Sequence, residues 1–302
     1  IRDSLYTEMI NANAVLFGNQ NDLLKFNECE HPLAIQLGGN DPIKLSEAAS
    51  ISESNGYDEI NLNIGCPSTK VQNGDFAPIL KKKHNLVAKC VRAIRNKVNI
   101  PVSVKCRIGV DDMDEEADLN TFIKKVSDSG CRVFIVHARK AWLKGLSPKE
   151  NRNIPPLNYE RVYRLKDKFP DIEIIINGGI TSTFQIKDHL KKVDGVMLGR
   201  SVYHTPYLLS DIEKEIFDSN DVPSRQDVVE QLIPYIKEET KKGTRLNQIM
   251  RHTLGLFHGQ RGSSFWKRYL SENMCIREAD LQKVNHIMDH IKNNSKTVSL
   301  GK

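Results

Sequence analysis

Hydrophobic positions along the first two thirds of the chain follow two alternating patterns, short apolar runs and longer stretches with helical spacing. The apolar runs predict strands at residues 5–10, 33–37, 59–64, 101–108, 132–138, 173–176 and 195–198. Helical spacing predicts helices at residues 42–54, 86–98, 115–129, 159–169 and 183–191, and a further helix beginning near Ser201. Strands that are apolar on both faces and alternate with helices predict a parallel sheet covered by helices.

The seven predicted strands favour a closed TIM (β/α)8 barrel, which needs eight strands. The chain begins without methionine and almost inside a strand, so we expect the first strand of the barrel to precede Ile1. An open, doubly wound α/β sheet is the alternative.

The alternation stops after about Phe217. The polar stretch 218–224 predicts a linker that ends in a helix cap, and helical spacing recurs at 226–241, 245–258, 264–271 and 278–291. We therefore expect a barrel domain over residues 1–220 and a small helical domain over residues 221–302.

Composition narrows the class of protein. Hydrophobic residues make up 39% and charged residues 27% of the 302 positions, as in soluble globular proteins. No apolar run approaches the roughly 18 residues of a membrane span. The six cysteines have no paired or zinc-ligand spacing, so we expect free thiols, no metal and a cytoplasmic protein. The net charge of +6 is compatible with a polyanionic partner but does not require one.

The strongest candidate for chemistry is the stretch 61–74, where a strand breaks at Gly65 and delivers Cys66 into a turn. The C-terminal ends of parallel strands are where α/β proteins hold their catalytic groups. A structural cysteine does not need polar neighbours, so those around Cys66 favour a catalytic thiol. They are Asn61, Asn63, Ser68, Gln72 and Asn73. A small hydrophobic residue in a turn is the alternative for Cys66.

Polar residues recur at the C-terminal ends of the other strands, which a barrel would bring to one mouth. They are Gln36, Lys105 with Arg107, His137 with Arg139, Asn177-Gly178-Gly179 and Gly199-Arg200. The last two groups each precede a helix, whose N–H groups favour a phosphate, and Arg200 adds a positive charge. Lys105 lies in an otherwise apolar strand and needs an anionic or electron-rich partner. Together these positions predict a phosphorylated cofactor, and ordinary loop residues are the alternative.

Longer stretches of the chain resemble the tRNA-dihydrouridine synthases, and within them the A-type branch. The matching stretches are 5–10, 31–39, 61–74, 103–112, 137–152 and 193–200. The run from His137 to Arg152 is the most specific for the A-type branch. The resemblance extends over the barrel, and the helical tail is similar more loosely.

The resemblance implies an FMN-dependent enzyme that uses NADPH to reduce the C5–C6 bond of D-loop uridines in tRNA to 5,6-dihydrouridine. It implies that reduced FMN gives hydride to C6, that Cys66 gives the proton to C5, and that Asn63 contacts the nucleotide. A thiol with an ordinary pKa of about 8.5 stays protonated at neutral pH and suits that role. The implied FMN-binding residues are Gln36, Lys105, His137, Asn177, Gly178, Gly179, Gly199 and Arg200.

A uridine must leave the folded tRNA to enter the mouth of the barrel, so the mouth must also accept the RNA backbone. Basic residues near the mouth therefore predict an RNA-binding surface. Residues 240–271 contain seven Lys and Arg and no acidic residue, which predicts a phosphate-binding face. The candidates are Arg139, Lys140, Lys149 and Arg152 in the loop after residue 138, and Lys267 and Arg268 in the tail. For the loop, a solvated charged segment is the alternative.

We expect a monomer. Two other functions stay open: an FMN barrel acting on a free pyrimidine or another small molecule, and a tRNA-binding barrel without catalysis.

Overall fold

The computed structural model describes residues 4–65, 77–113, 116–274 and 286. Within them, seven strands pair in sequence order, and every neighbouring pair is parallel. They are β1 (Leu5–Asn11), β2 (Leu33–Gly38), β3 (Glu59–Asn63), β4 (Val102–Arg107), β5 (Val133–His137), β6 (Glu173–Asn177) and β7 (Gly195–Met197). The seven predicted strands are confirmed, with ends that differ by one residue.

Helices follow the strands in the way that the hydrophobic spacing predicts. The α-helices are α1 (Ala12–Phe17), α2 (Gln20–Leu23), α3 (Pro42–Ser54), α4 (His84–Arg95), α5 (Ala117–Asp128), α6 (Tyr159–Lys168), α7 (Thr183–His189), α8 (Arg200–His204), α9 (Leu208–Ile216), α10 (Arg225–Lys241), α11 (Leu246–Met250) and α12 (Ser263–Asn273). The bounds of α3 are those predicted, because Asp41 caps the N–H groups of Ile43 and Lys44 and Pro42 occupies the first turn.

The seven-stranded sheet is curled, and Tyr6 and Glu59 meet on its inner face. Burial raises the pKa of Tyr6 on β1, and the carboxylates of Glu59 on β3 and Glu173 on β6 raise it further. Tyr6 donates a hydrogen bond to Glu59 at 3.3 Å. Sequential strand order in a curled parallel sheet is the (β/α) barrel arrangement, and it excludes the doubly wound alternative, in which the strand order reverses.

The pairing of β1 with β2 contains a β-bulge. Tyr6 lies opposite Ala34 and Met9 lies opposite Gln36, so β1 advances three residues where β2 advances two. The hydroxyl oxygen of Thr7 accepts a hydrogen bond from the backbone N–H of Gln36 at 3.0 Å. This side chain replaces the ladder bond that the bulge disrupts.

The chain forms two compact units. Among the described residues, the first contains 4–180 and 186–197, and the second contains 181–185 and 198–274. The predicted domain boundary between residues 220 and 221 stays a prediction. The second unit has its own core around Trp266, which is fully buried and donates from Nε1 to the carbonyl of Thr253 at 3.0 Å. No helix among the described residues is long and apolar enough to cross a membrane.

The predicted helix over residues 245–258 is wrong beyond Met250. The chain continues as a 3-10 turn at Arg251–Thr253 and then as further turns. At Gly255 the chain passes so close to the carbonyl oxygen of His204 that a Cβ would collide with it. The carbonyl of Leu256 accepts from Arg225 Nε at 2.8 Å instead of from a helical N–H. The predicted helix over 278–291 lies outside the described residues apart from His286.

Candidate active site

Five of the predicted site residues lie on one face of the sheet at the C-terminal ends of their strands. Asn63 lies opposite Lys105 in the register of β3 and β4, and His137 lies opposite Asn177 in that of β5 and β6. Gln36 lies on β2 beside them. The alternate residues of the same strands, such as Leu62 and Val104, are fully buried on the other face. The strand period of two therefore turns this polar set toward the inside of the barrel.

Two direct contacts join members of this set. The amide nitrogen of Asn63 donates to Gln36 Oε1 at 2.5 Å, and both side chains are buried. Lys105 Nζ donates to Asn177 Oδ1 at 3.3 Å, and the amide nitrogen of Asn177 donates to the carbonyl of Met197 at 2.8 Å. The structure thus brings together Gln36 with Asn63, and Lys105 with Asn177.

The Gly178-Gly179 turn follows Asn177 and requires glycine. Both residues have positive φ, 116° and 74°, a region that costs other residues energy. A Cβ on Gly179 would lie 2.6 Å from Leu157 Cδ1, and a Cβ on Gly178 would lie 3.2 Å from His137 Nε2. The hydroxyl of Tyr159 donates to the carbonyl of Gly178 at 2.7 Å and supports the turn from behind. The turn therefore lies directly against the His137 ring.

Gly199 and Arg200 belong to the second unit. Gly199 precedes α8, and both residues are exposed. Their predicted membership of one site with Asn177, Gly178 and Gly179 stays a prediction.

Cys66 lies outside the described residues, but the chain that leads to it is held from several sides. The backbone N–H of Ile64 donates to the carbonyl of Lys105 at 2.7 Å. The N–H of Gly65 donates to Asn63 Oδ1 at 2.9 Å, and the carbonyl of Gly65 accepts from Arg107 Nε at 3.1 Å. Both polar groups of the Gly65 backbone are thereby fixed immediately before the predicted catalytic residue.

Arg107 has a role that sequence reasoning missed. Its side chain is 4% exposed, and its Nη1 donates to the carbonyls of Lys140 at 2.8 Å and Asn151 at 2.9 Å. Its own carbonyl accepts from the buried ammonium of Lys81. The sequence places Arg107 at the end of an apolar strand, which signals an unusual cation. Its acceptors lie in distant loops, however, and no local pattern identifies them.

Asn151 organises the basic loop, which is residues 138–158 between β5 and α6, and sequence reasoning missed this role too. This fully buried side chain accepts from the N–H of Trp142 at 2.7 Å and donates to the carbonyl of Trp142 at 2.8 Å. An amide that pairs with both groups of one backbone residue closes the loop in the way that a β-ladder pair does. The loop therefore has a defined shape.

The predicted RNA-binding residues differ in how their side chains are engaged. Arg139 donates to the carbonyls of Asn153 and Pro155, and Lys140 donates to that of Met113 at 3.0 Å, so both have structural contacts within the first unit. The other four predicted residues are exposed: Lys149, Arg152, Lys267 and Arg268. Contact of any of the six with RNA stays a prediction.

The described cysteines are free thiols that differ in their exposure. Cys29 is exposed, and Cys90, Cys106 and Cys131 are buried free thiols. Burial raises the pKa of Cys90 and of Cys131 to about 12, so neither ionises near neutral pH. Among the described residues, no group of three or more His, Cys, Asp or Glu side chains could hold a metal ion.

Comparison with known proteins identifies the family. The family model described as "Dihydrouridine synthase (Dus)" matches residues 2–294. The chain belongs to the dihydrouridine synthase family. The family's fold is the TIM barrel, in agreement with the curled parallel sheet, and the recognition made from the sequence is confirmed.

Three curated relatives illustrate the similarity, and each is named tRNA-dihydrouridine(20/20a) synthase. The protein from Synechocystis is 53% identical over 276 residues, which cover 91% of this chain and 83% of the relative. The protein from Shewanella oneidensis is 52% identical over 281 residues, with 93% and 84% covered. The protein from Escherichia coli K12 is 51% identical over 286 residues, with 94% and 83% covered.

Proposed function

We propose that this protein reduces D-loop uridines of tRNA to 5,6-dihydrouridine, with bound FMN and with NADPH as the reductant. The observation that carries the proposal is the polar set at the strand ends, which adjoins the segment leading to Cys66. Relatives more than 50% identical along nearly the whole chain support the same reaction and substrate. A cytoplasmic monomer that acts on tRNA is part of the proposal.

The donors and acceptors of the set suit a flavin. The flavin's pyrimidine edge has both N–H and carbonyl groups, and amides such as Gln36 and Asn177 can serve either kind. Lys105 is a half-buried cation, which suits the part of the ring that gains negative charge on reduction. Backbone N–H groups in a glycine turn such as Gly178-Gly179 suit a phosphate. We assign these residues and His137 to FMN, with Gly199 and Arg200 as further phosphate contacts.

Bound FMN would supply hydride to C6 of the uracil. The protein's share is to hold the base and to provide the proton for C5, which we assign to the Cys66 thiol. Asn63 would hold the nucleotide, and its position is fixed by the contact with Gln36. Both polar groups of the Gly65 backbone, immediately before Cys66 in the sequence, are hydrogen-bonded within the first unit.

RNA would be held by charge outside the mouth. Lys149 and Arg152 in the basic loop, and Lys267 and Arg268 on α12, are exposed and can neutralise phosphates. We also assign Arg139 and Lys140 to the RNA-binding surface. Their side chains donate to backbone carbonyls and so shape the loop that carries the exposed residues Lys149 and Arg152.

The deciding experiment is an anaerobic visible spectrum of the full-length protein supplied with FMN. We expect flavin absorbance that bleaches with NADPH and returns on adding unmodified tRNA. Free uridine should not restore the absorbance. Replacing Cys66 by Ala should leave bleaching intact and slow the tRNA-driven return, whereas the matched variant Cys29→Ala, at an exposed thiol, should behave as wild type.

Two outcomes would contradict the proposal. Absence of flavin binding would remove the enzymatic interpretation and leave a tRNA-binding barrel. Return of the absorbance with a free pyrimidine and not with tRNA would indicate an oxidoreductase of small molecules.

A further inference from the structure

A chain of hydrogen bonds crosses the inner face of the sheet in a single direction. It begins at the backbone N–H of Gly65 and ends at the carboxylate of Glu59, and each side chain on the way accepts one bond and donates the next. The bonds are Gly65 N to Asn63 Oδ1 at 2.9 Å, Asn63 Nδ2 to Gln36 Oε1 at 2.5 Å, Gln36 Nε2 to Asn61 Oδ1 at 2.9 Å, Asn61 Nδ2 to Ser103 Oγ at 2.6 Å, and Ser103 Oγ to Glu59 Oε1.

The strand geometry makes this chain continuous. Alternation along β3 places Glu59, Asn61 and Asn63 on one face, while Ile60 and Leu62 face the other way. Asn61 lies opposite Gln36 on β2 and opposite Ser103 on β4. Lateral neighbours are thereby in hydrogen-bonding range.

The two ends of the chain determine its direction. A backbone N–H such as that of Gly65 can only donate, and at the other end Glu59 Oε1 accepts both from Ser103 Oγ and from the Tyr6 hydroxyl. Reversal of any amide between them would bring two donors or two acceptors face to face. Asn61 and Ser103 have no exposed surface, so water cannot relieve such a mismatch.

Packing alone does not explain this arrangement, because barrel interiors are ordinarily filled by branched apolar side chains. A row of buried polar groups costs desolvation that apolar residues would avoid. The row leads from the interior to three positions that the proposed function uses: Gln36, Asn63 and the residue before Cys66.

We propose that Glu59 and Ser103 are positioning residues, which fix the orientation of the Gln36 and Asn63 amides and of the Ile64–Gly65 peptide. The role rests on the proposed function, in which Gln36 holds FMN, Asn63 holds the nucleotide and Cys66 gives the proton. Glu59 and Ser103 act only through the chain, at a distance from the reacting atoms.

The test compares variants of the full-length protein that interrupt the chain or leave it intact. Ser103→Ala removes the link between Asn61 and Glu59. Tyr6→Phe is the matched control, since it removes a hydroxyl that donates to the same carboxylate at 3.3 Å but is not part of the chain. Glu59→Gln retains an acceptor for Ser103 and can direct its amide toward the Tyr6 oxygen, so it should preserve the chain.

The first readout is hydrogen exchange of the side-chain amides of Gln36 and Asn63, followed by NMR without any ligand. Loss of one net hydrogen bond predicts about tenfold faster exchange of the Asn63 amide in Ser103→Ala. Tyr6→Phe and Glu59→Gln should change the rate less than about twofold on the same scale. If Ser103→Ala does not fold, Ser103→Cys keeps the volume and weakens both links. Wild-type exchange in the interrupting variant overturns the proposal.

The second readout is function. Ser103→Ala should weaken FMN binding and lower kcat for tRNA reduction by about tenfold, with KM for tRNA nearly unchanged because the RNA surface is intact. Unchanged FMN affinity and kcat in a variant with faster amide exchange overturn the positioning role and leave the proposed function standing. Absence of flavin binding by the wild-type protein overturns the proposed function and, with it, this role.

Discussion

Replacing Arg107 by Met tests how much one buried guanidinium contributes to the loops around the candidate site. The methionine keeps most of the length and the apolar body of the side chain but removes its donors. Three backbone carbonyls, those of Gly65, Lys140 and Asn151, lose a charged donor. At about 1.5 kcal/mol for each such bond, the gross loss is about 4–5 kcal/mol.

Two effects reduce that figure. The variant no longer buries a charge, and the partly buried carbonyls of Gly65 and Lys140 recover some hydration. We therefore expect the free energy of unfolding of the first unit to fall by about 3 kcal/mol. A loss of this size is a large share of the stability of an ordinary domain but does not exceed it. We therefore expect the variant to fold, with weaker local structure around the lost hydrogen bonds.

The assay is amide hydrogen exchange by mass spectrometry, read separately on peptides that cover residues 59–65 and 140–153, alongside urea unfolding. Arg164→Met is the matched control, because Arg164 is 53% exposed and pairs at 3.0 Å with Glu116, which is also half exposed. Such a surface pair is worth about 0.5 kcal/mol, so the control should retain wild-type exchange in both peptides. Equal protection of both peptides in Arg107→Met and wild type would refute the assigned role of the guanidinium.

Three further predictions concern single positions. Gly179→Ala should destabilise the first unit by about 1–2 kcal/mol, since Ala is strained at φ 74° and its Cβ meets Leu157; an unchanged thermal midpoint would contradict this. Burial raises the pKa of Glu59 above its usual 4.5. The free energy of unfolding of the wild type, relative to that of Glu59→Gln, should therefore fall as pH rises from about 4.5 to the folded-state pKa of Glu59. Above that pKa the difference should stay constant. Urea unfolding at a series of pH values measures it. Trp266→Ala should cost the second unit about 3–5 kcal/mol, seen as faster exchange in residues 225–274 and not in residues 33–65.

The strands and main helices of the barrel could be predicted because their signals are local. Apolar runs and helical spacing determine β2 to β6 within one residue at each end, and the Asp41-Pro42 pair determines the start of α3. The positions that form the inner polar set follow from the period of two. Local patterns therefore identify which residues face the barrel interior.

What could not be predicted depends on contacts between distant residues. Arg107 and Asn151 are 44 positions apart, and the hydrogen bond between them follows from no spacing rule. Residues 245–258 have helical spacing throughout. In the structure, however, the side chains of Trp266 and Arg225 donate hydrogen bonds to the carbonyls of Thr253 and Leu256 in this stretch. Tertiary hydrogen bonds outweighed local propensity there.

The β-bulge in β1 has a consequence for how substitutions there should be tolerated. In a regular strand successive side chains point to opposite faces, but here the phase changes at Glu8, the exposed residue in the extra step. Tyr6, Thr7 and Met9 should all resist replacement, the first and last for their inward side chains and Thr7 for its bond to Gln36. Glu8 should accept almost any residue, and a one-residue deletion there would restore regular pairing.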